Sequence, residues 1–223
     1  MADRPKPIAT VAGRPFLQHL LRYWSNQGIR RFIVSTGHMG AQIERELGAQ
    51  FAGARLDYVW EPEPLGTGGA LLFAYRKIRP EEPFLVLNGD TYFEVNLGAL
   101  SSTARSKNAD WCLALFVSTD NDRYLPVYNS PSGGLEFGTH GEHVGTDHEF
   151  LVNGGVYWIR PEALEPFEET AGAALSLEAE LMPRGKALGQ RFAGLRSDSV
   201  FIDIGVPEDY ERAQHMKCFA EGP

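Results

Sequence analysis

The sequence predicts an α/β fold, in which a doubly wound, mostly parallel, Rossmann-like sheet carries a small β-rich lobe. The first observation is that "RRFIVST" (30–36) and "PFLVLNGD" (83–90) are apolar almost throughout, which is typical of strands covered on both faces. The second is that such strands alternate with amphipathic helices. The third is a change beyond residue 118, where hairpin and turn patterns replace the alternation.

The first half of the chain reads as helices alternating with strands. Pro15 lies in the first turn of the first helix, Gly28 ends it, and an apolar stripe runs along it through Phe16, Leu17, Leu20, Leu21 and Trp24. The remaining predicted elements are a strand over 30–36, a helix from Gly40 to Phe51, a strand over 56–61, a helix through Ala70, Leu71, Ala74 and Ile78, a strand over 83–90, a helix over 97–107 and a strand over 111–118. Right-handed crossovers would join the parallel strands.

The second half predicts a hairpin followed by separate strands and helices. "YLPVYNS" and "LEFG" flank the turn "PSGG", and a strand over 149–159, a helix near 175–182 and a strand over 199–205 follow. The last helix opens with Pro207, has acids in its first turn and has Lys217 in its last turn. Because no repeat or linker interrupts the chain, we expect one domain over 1–223, with halves over 1–118 and 119–223.

The composition excludes several classes of partner. The chain has 223 residues, of which 43% are hydrophobic and 22% charged, as in globular proteins. A net charge of -8 without a Lys/Arg block argues against nucleic acid and against an anionic membrane surface. No apolar run has membrane-spanning length, and no signal-peptide core is present. With Cys112 and Cys218 expected as reduced thiols, we expect a cytoplasmic protein.

A glycine-rich loop, "EPEPLGTGGAL" (61–71), follows the strand that ends at Glu61. Two prolines stiffen it, and Gly66-Thr67-Gly68-Gly69 opens a helix. Glycines let a ligand approach the backbone, and free N–H groups at a helix start attract acceptor atoms. The alternative is a glycine-rich turn that binds no ligand.

Two acids lie at the ends of apolar strands. Asp90 ends "LVLNGD" (85–90), and Asp203 lies between two apolar residues in "VFIDIGVPEDY" (200–210). The carboxyl ends of strands in open α/β sheets face the ligand crevice. A hard cation such as Mg²⁺, bound by one or two carboxylates plus phosphate oxygens, would explain both acids. The alternative is that each acid caps a local turn.

Together, six stretches resemble the sugar-1-phosphate nucleotidyltransferases in order and in approximate spacing. These are "DRPKPIATVAGRPFLQHLL", "EPEPLGTGGAL", "VLNGDTYF", "VNGGVYWI", "SLEAELMP" and "FIDIGVPEDY", which span nearly the whole chain. Within the family, "EPLGTGGAL" with "IDIGVPEDY" is most similar to the heptose 1-phosphate guanylyltransferases. The N-acetylmuramate 1-phosphate uridylyltransferases come next, and hexose 1-phosphate uridylyl- or thymidylyltransferases stay open.

The resemblance implies that a sugar 1-phosphate attacks the α-phosphorus of a nucleoside triphosphate and that pyrophosphate leaves. It implies Mg²⁺ as cofactor, held by Asp90 and Asp203, with Lys6 on phosphate. The implied nucleotide-binding residues are Glu61, Leu65, Gly66, Thr67, Gly68, Gly69, Asn88 and Gly89. The implied sugar-binding residues are Asn153, Gly154, Gly155 and Glu178. Without the family, Asn153 would be read as a turn residue and Glu178 as part of a solvated helix face.

The first departure from the family precedes the "PKP" element. The family has an apolar strand and a G-G-x-G-T-R loop there, and nothing precedes Met1 in this sequence. Three explanations stay open: a start codon assigned too late, a truncated chain, or a chain that has lost the activity. A doubly wound sheet without its first, central strand is expected to leave two neighbouring strands with unpaired, apolar edges.

The second departure concerns the sugar phosphate. The family has a Glu-Lys pair before its "NGG" element, whereas this chain has no lysine between Lys107 and Lys186. Arg123 or one of the histidines His140, His143 and His148 would have to replace that cation. The histidines lack the spacing of a structural metal site, so a solvated loop is expected there.

A second function from another class stays open at this point. A non-catalytic sugar-nucleotide-binding or regulatory subunit would be stabilised by ligand without turnover. Unpaired sheet edges could also promote association into a homo-oligomer.

Overall fold

The computed structural model describes residues 5–120, 123–124, 126–130, 134–138 and 149–220. His140, His143 and His148 lie outside these ranges, as does most of the turn at 131–134. The strands are β1 Thr10–Val11, β2 Arg14–Pro15, β3 Arg31–Thr36, β4 Gln50–Phe51, β5 Ala54–Trp60, β6 Phe84–Leu87, β7 Thr91–Phe93, β8 Trp111–Ser118, β9 Pro126–Asn129, β10 Leu135–Phe137, β11 Phe150–Ile159, β12 Phe192–Arg196 and β13 Phe201–Asp203. The α-helices are α1 Phe16–Asn26, α2 Gly40–Leu47, α3 Gly66–Ile78, α4 Leu97–Ser106, α5 Met182–Ala187, α6 Pro207–Ala213 and α7 Lys217–Ala220.

The predicted α/β class is confirmed, and the main sheet is mixed. Its order is β10-β9-β11-β8-β12, with β6 also paired to β11. β12 runs parallel to β8, whereas β11 runs antiparallel to β6, β8 and β9. A separate sheet pairs β3 parallel to β5, and β13 pairs antiparallel with β7. The predicted hairpin of the second half is present as β9 and β10.

Strand β8 lies at the centre of the core because both of its faces are covered. All six residues from Trp111 to Phe116 are buried. Leu113 and Leu115 pack in one apolar cluster with Leu72 of α3, while Cys112 and Ala114 pack in another with Leu100 of α4. This alternation follows from the two-residue period of a strand.

Strands β3 and β6 are less buried than their apolar sequences predict. Within the described residues, β3 pairs only with β5 and β6 only with β11, so each strand has one edge without a partner there. All four residues of β6 are half-buried. Among the described residues, β3 and β6 thus each have one partly apolar edge without a strand partner.

Several predicted elements differ in extent: the strand over 83–90 is Phe84–Leu87, and the strand over 199–205 is Phe201–Asp203. The second helix ends at Leu47, because Gly48 has a φ of 69°, and Gln50–Phe51 is a strand instead. The last helix ends at Ala213, and Lys217 begins the separate helix α7. The helix near 175–182 starts as a π-helical turn, Leu177–Leu181, that continues into α5. The division at residue 118 stays a prediction.

None of the helices in the described part of the chain combines the length and the apolarity that crossing a bilayer requires.

Candidate active site

The two predicted acids lie side by side at the end of the short β7–β13 ladder. Asp203 is in register with Thr91, and the Ile204 N–H donates to the Asp90 carbonyl oxygen at 3.0 Å. Asp90 directly precedes β7, and Asp203 ends β13. The chain therefore brings together two carboxylates that are more than a hundred residues apart in sequence.

The electrostatics of Asp90 reflect this proximity. Burial, followed by the negative charge of Asp203, raises the pKa of Asp90 above its usual range. The positive charge of Lys6 opposes the rise. The Lys6 ammonium also donates to the carbonyl oxygen of Gly205 at 3.2 Å, so it lies at the same edge. The two carboxylates thus repel each other, and a bound divalent cation would relieve that repulsion.

Asp203 is both a local cap and part of the acid pair. Its Oδ1 accepts the Gly205 N–H at 2.7 Å, which is the turn predicted as the alternative. Its Oδ2 lies 3.1 Å from an Arg123 nitrogen. The two interpretations of this acid do not exclude each other, because a carboxylate has lone pairs for several partners.

In the part of the chain that the structure describes, no third metal-ligating side chain accompanies the pair. Within the described ranges, no group of three or more His, Cys, Asp or Glu side chains could hold a metal ion. A cation between Asp90 and Asp203 would therefore need oxygen atoms from ligands or water, which is the usual arrangement for protein-bound Mg²⁺.

Asp209 is a site residue that the sequence analysis assigned only to a helix start. It lies in the first turn of α6, is 8% exposed, and accepts from both Arg123 and Arg212. The Arg123 guanidinium also donates to the Asp203 backbone carbonyl at 3.1 Å. No local pattern distinguishes an acid that favours a helix N-terminus from one that binds a distant arginine.

The glycine-rich loop packs against the segment that leads to Glu178. The N–H groups of Gly68 and Gly69 donate to the Leu175 carbonyl oxygen at 2.9 and 3.2 Å. The expectation of free N–H groups at these two positions is therefore wrong, because a distant carbonyl satisfies them. A Cβ at Gly69 would lie 2.3 Å from the carbonyl oxygen of Ala173. Glycine is needed at Gly69 for this packing, and nucleotide binding by the loop stays a prediction.

Glu61 and Leu65 connect this loop to the neighbouring strands. Glu61 accepts from the Ser35 hydroxyl at 3.0 Å and from the Leu65 N–H at 3.3 Å. Leu65 is 1% exposed, so its side chain is part of the core. Glu61 therefore lies where the ends of β3 and β5 meet the start of α3, at the carboxyl edge of that sheet.

Asn88 and Gly89 lead from β6 to Asp90. The Asn88 N–H donates to the Gly155 carbonyl oxygen at 2.9 Å, and a Cβ at Gly155 would lie 2.7 Å from the Asn88 side chain. Gly89 lies against Pro7, whose Cγ would be 3.5 Å from an added Cβ. Asp90 is thereby positioned between the "PKP" element and the "NGG" element.

The "NGG" element forms a bulge in β11. Asn153 faces Leu115 and Tyr157 faces Leu113, so four residue steps of β11 oppose two steps of β8. Gly155 has a φ of 70°, and a Cβ at Gly154 would lie 2.4 Å from the Phe93 ring. Both glycines are therefore required for the bulge, which begins directly after Asn153.

Tyr157 connects the two predicted sugar-binding side chains, and the sequence analysis missed it. The Asn153 amide donates to the Tyr157 hydroxyl at 2.6 Å, and that hydroxyl donates to Glu178 Oε1 at 2.6 Å. Glu178 Oε2 accepts from Thr67 of the glycine-rich loop at 3.3 Å. Burial, and then the charge of Glu178, raises the pKa of Tyr157 well above its usual value, so the phenol stays neutral and can donate.

We expect Tyr157→Phe to lower kcat/KM of the reaction at this site by about 10-fold, because Asn153 and Glu178 lose the group that orients them. Steady-state kinetics and a thermal melt of the variant measure the two effects. Tyr128→Phe is the control, since Tyr128 is 37% exposed on β9. Unchanged kinetics in Tyr157→Phe would contradict the assigned role.

Comparisons with known proteins identify the family of this chain. Residues 2–124 match the family described as "Nucleotidyl transferase". The chain is 37% identical over 214 residues to D-glycero-alpha-D-manno-heptose 1-phosphate guanylyltransferase of Aneurinibacillus thermoaerophilus, covering 96% of this chain and 90% of that protein. It is 34% identical over 208 residues to the protein of the same name from Campylobacter jejuni subsp. jejuni serotype O:2, covering 93% and 88%.

A solved structure is also similar over most of its length. The crystal structure of HddC from Yersinia pseudotuberculosis complexed with GMP-PN has a TM-score of 0.80 and 28% identity, and the match covers 95% of this chain and 89% of that chain.

Proposed function

The chain belongs to the nucleotidyl transferase family, and from this premise we propose that it is a guanylyltransferase that joins GTP to a heptose 1-phosphate. The observation that carries the proposal is the meeting of Asp90 and Asp203 beside Lys6. The similarity to two heptose 1-phosphate guanylyltransferases supports the choice of sugar. The GMP-PN complex of a similar protein supports the choice of base.

The proposed reaction is a phosphoryl-type transfer. A phosphate oxygen of the sugar 1-phosphate forms a bond to the α-phosphorus of GTP, while the bond from that phosphorus to the bridging oxygen of the β-phosphate breaks. Pyrophosphate leaves, and GMP becomes attached to the sugar phosphate. Catalysis of this kind depends on positioning and on charge neutralisation.

Asp90 and Asp203 fit Mg²⁺, because both present hard oxygen ligands and because burial, together with the charge of Asp203, raises the pKa of Asp90. Mg²⁺ would neutralise phosphate charge at this edge when bound. Lys6 would contact a phosphate oxygen from the same side. Asp90 and Asp203 lie at the end of the β7–β13 ladder, and Lys6 reaches the same edge through its contact with the Gly205 carbonyl.

The remaining predicted residues divide into two groups. The nucleotide group comprises Glu61, Leu65, Gly66, Thr67, Gly68 and Gly69 of the glycine-rich loop, and Asn88 and Gly89 directly before Asp90. The sugar group comprises Asn153, Gly154, Gly155 and Glu178, and Tyr157 links two of its members. A direct hydrogen bond from Thr67 to Glu178 joins the groups, so base and sugar would bind next to each other.

We place the reaction in the cytoplasm, in line with the free thiols of Cys112 and Cys218.

Pyrophosphate release in the presence of Mg²⁺, GTP and heptose 1-phosphate tests the proposal. Two proteins are compared: the 223-residue chain, and the same chain preceded by a strand and a loop of the G-G-x-G-T-R type. We expect GDP-heptose by mass spectrometry, and a rate with GTP at least about 10-fold above that with UTP, because a base is selected by its edge hydrogen bonds. Ligand-induced thermal stabilisation without turnover in both proteins would favour a regulatory subunit instead.

A further inference from the structure

Arg123 is placed next to the acid pair but has no assigned task in the reaction described above. Its guanidinium contacts the Oδ2 and the backbone carbonyl of Asp203, both at 3.1 Å, and pairs with Asp209. Its side chain is 24% exposed, so part of the guanidinium stays accessible. An arginine at this position can reach an anion that binds beside Asp203.

We propose that Arg123 binds the phosphate group of the sugar 1-phosphate and that Asp209 is its positioning residue. This inference rests on the proposed function and assigns the sugar-phosphate contact within it. Arginine suits the task because its planar fork matches phosphate oxygens in a bidentate manner. No lysine is available between Lys107 and Lys186 in the sequence.

Asp209 holds Arg123 in place from inside the protein. It is 8% exposed, and a buried carboxylate requires charged partners. Its Oδ2 pairs with Arg123 and its Oδ1 with Arg212 at 2.8 Å, so two cations neutralise it from two sides. When a ligand draws Arg123 away from Asp203, the contact with Asp209 can therefore persist.

A divalent cation bound by the acid pair would make the surrounding cluster attractive to an anion. Three carboxylates face three cations: Asp90, Asp203 and Asp209 against Lys6, Arg123 and Arg212. The cluster is balanced without a ligand, so a divalent cation would add positive charge that phosphate oxygens must neutralise.

Arg123 also borders a cleft with the size of a ligand site. The cleft has a volume of about 540 Å³, and its lining includes Ser118, Tyr124, Ser197 and Arg212. Hydroxyl groups, an aromatic ring and a second arginine are groups that bind sugars and phosphates. The cleft also has apolar lining residues, such as Phe116 and Phe201, and acidic ones, such as Asp198.

The experiment measures the KM values of Arg123→Gln, Arg123→Lys and Asp209→Asn for each substrate. We expect Arg123→Gln to raise the KM for heptose 1-phosphate by about 10- to 100-fold and that for GTP by less than about 3-fold, since one charge-assisted contact is lost. Arg123→Lys should recover part of the loss, and Asp209→Asn should raise the same KM less. Arg191→Gln is the control, because Arg191 pairs with Asp110 at 3.9 Å and is 55% exposed.

Calorimetric binding of heptose 1-phosphate, with Mg²⁺ and a non-hydrolysable GTP analogue, separates the possible failures. The inference is supported if the unmodified chain binds both the nucleotide and the sugar phosphate and Arg123→Gln loses only the sugar phosphate. Equal sugar phosphate binding by both proteins overturns it and leaves the guanylyltransferase proposal intact. Binding of neither ligand by the unmodified chain overturns both proposals. Should Arg123→Gln not fold, Arg123→Lys decides, and unchanged binding there also overturns the inference.

Discussion

Asp90→Asn is expected to lower the rate of pyrophosphate release by about 1,000-fold and to raise the thermal stability of the protein. The loss follows because the acid pair would lose one of its two negative charges, and with it the divalent cation. The gain follows because burial and the charge of Asp203 raise the pKa of Asp90, so its ionised form is disfavoured in the folded protein.

The sign of the pH dependence follows from the raised pKa. Ionised Asp90 destabilises the folded state at any pH above the raised pKa, whereas protonation relieves the penalty as the pH falls towards the usual value of 3.8. The stabilisation in Asp90→Asn should therefore be full at neutral pH and should shrink in acid. Thermal melts over this range measure it, and an unchanged or lower melting temperature at neutral pH would argue against mutual repulsion at this site.

Asp203→Asn and Asp110→Asn complete the comparison. Asparagine at 203 can still accept the Gly205 N–H, so this variant should fold and should lose activity to a similar extent. Asp110 accepts the Arg191 N–H at 2.7 Å and precedes β8, at the opposite end of the sheet, so Asp110→Asn should keep the activity. Mg²⁺ should raise the melting temperature of the unmodified protein and of Asp110→Asn, but not of the two site variants.

Gly69→Ala is expected to destabilise the fold by about 2–3 kcal/mol and to lower activity, although alanine is the better helix former by about 1 kcal/mol. An added Cβ would lie 2.3 Å from the backbone oxygen of Ala173. The segment from Ala173 to Leu177 would have to move, and with it the carbonyl of Leu175 that accepts the Gly68 and Gly69 N–H groups. Glu178 directly follows this segment, so its contacts with Thr67 and Tyr157 should weaken too.

Gly37→Ala is the matched control for this substitution. A Cβ at Gly37 would meet no atom within 4 Å, and its φ is not in the left-handed region. Denaturant unfolding of both variants gives the two free energies of unfolding. If Gly69→Ala is as stable as Gly37→Ala, the 173–177 segment moves at little cost in free energy. The glycine-rich loop would then not position Glu178.

Local patterns predicted much of the scaffold and part of the site. The apolar stripe from Phe16 to Trp24 predicted α1, and the continuous apolar run at 111–118 predicted β8 with the same bounds. Two acids at strand ends predicted a meeting of Asp90 with Asp203, which the structure shows. These predictions succeed because they depend on residues that are close in sequence. Such residues determine the periods of strands and helices and the edge of the sheet at which strands end.

The sequence by itself thus determined the α/β class, most of the elements and the two acids that meet. Tertiary structure alone decided that Leu175 satisfies the glycine N–H groups, that Tyr157 connects Asn153 with Glu178, and that Asp209 holds Arg123. The physical reason is that a hydrogen bond or an ion pair between distant residues produces no periodic pattern in the sequence of either segment. Its existence depends on how the elements pack, and packing depends on the whole chain.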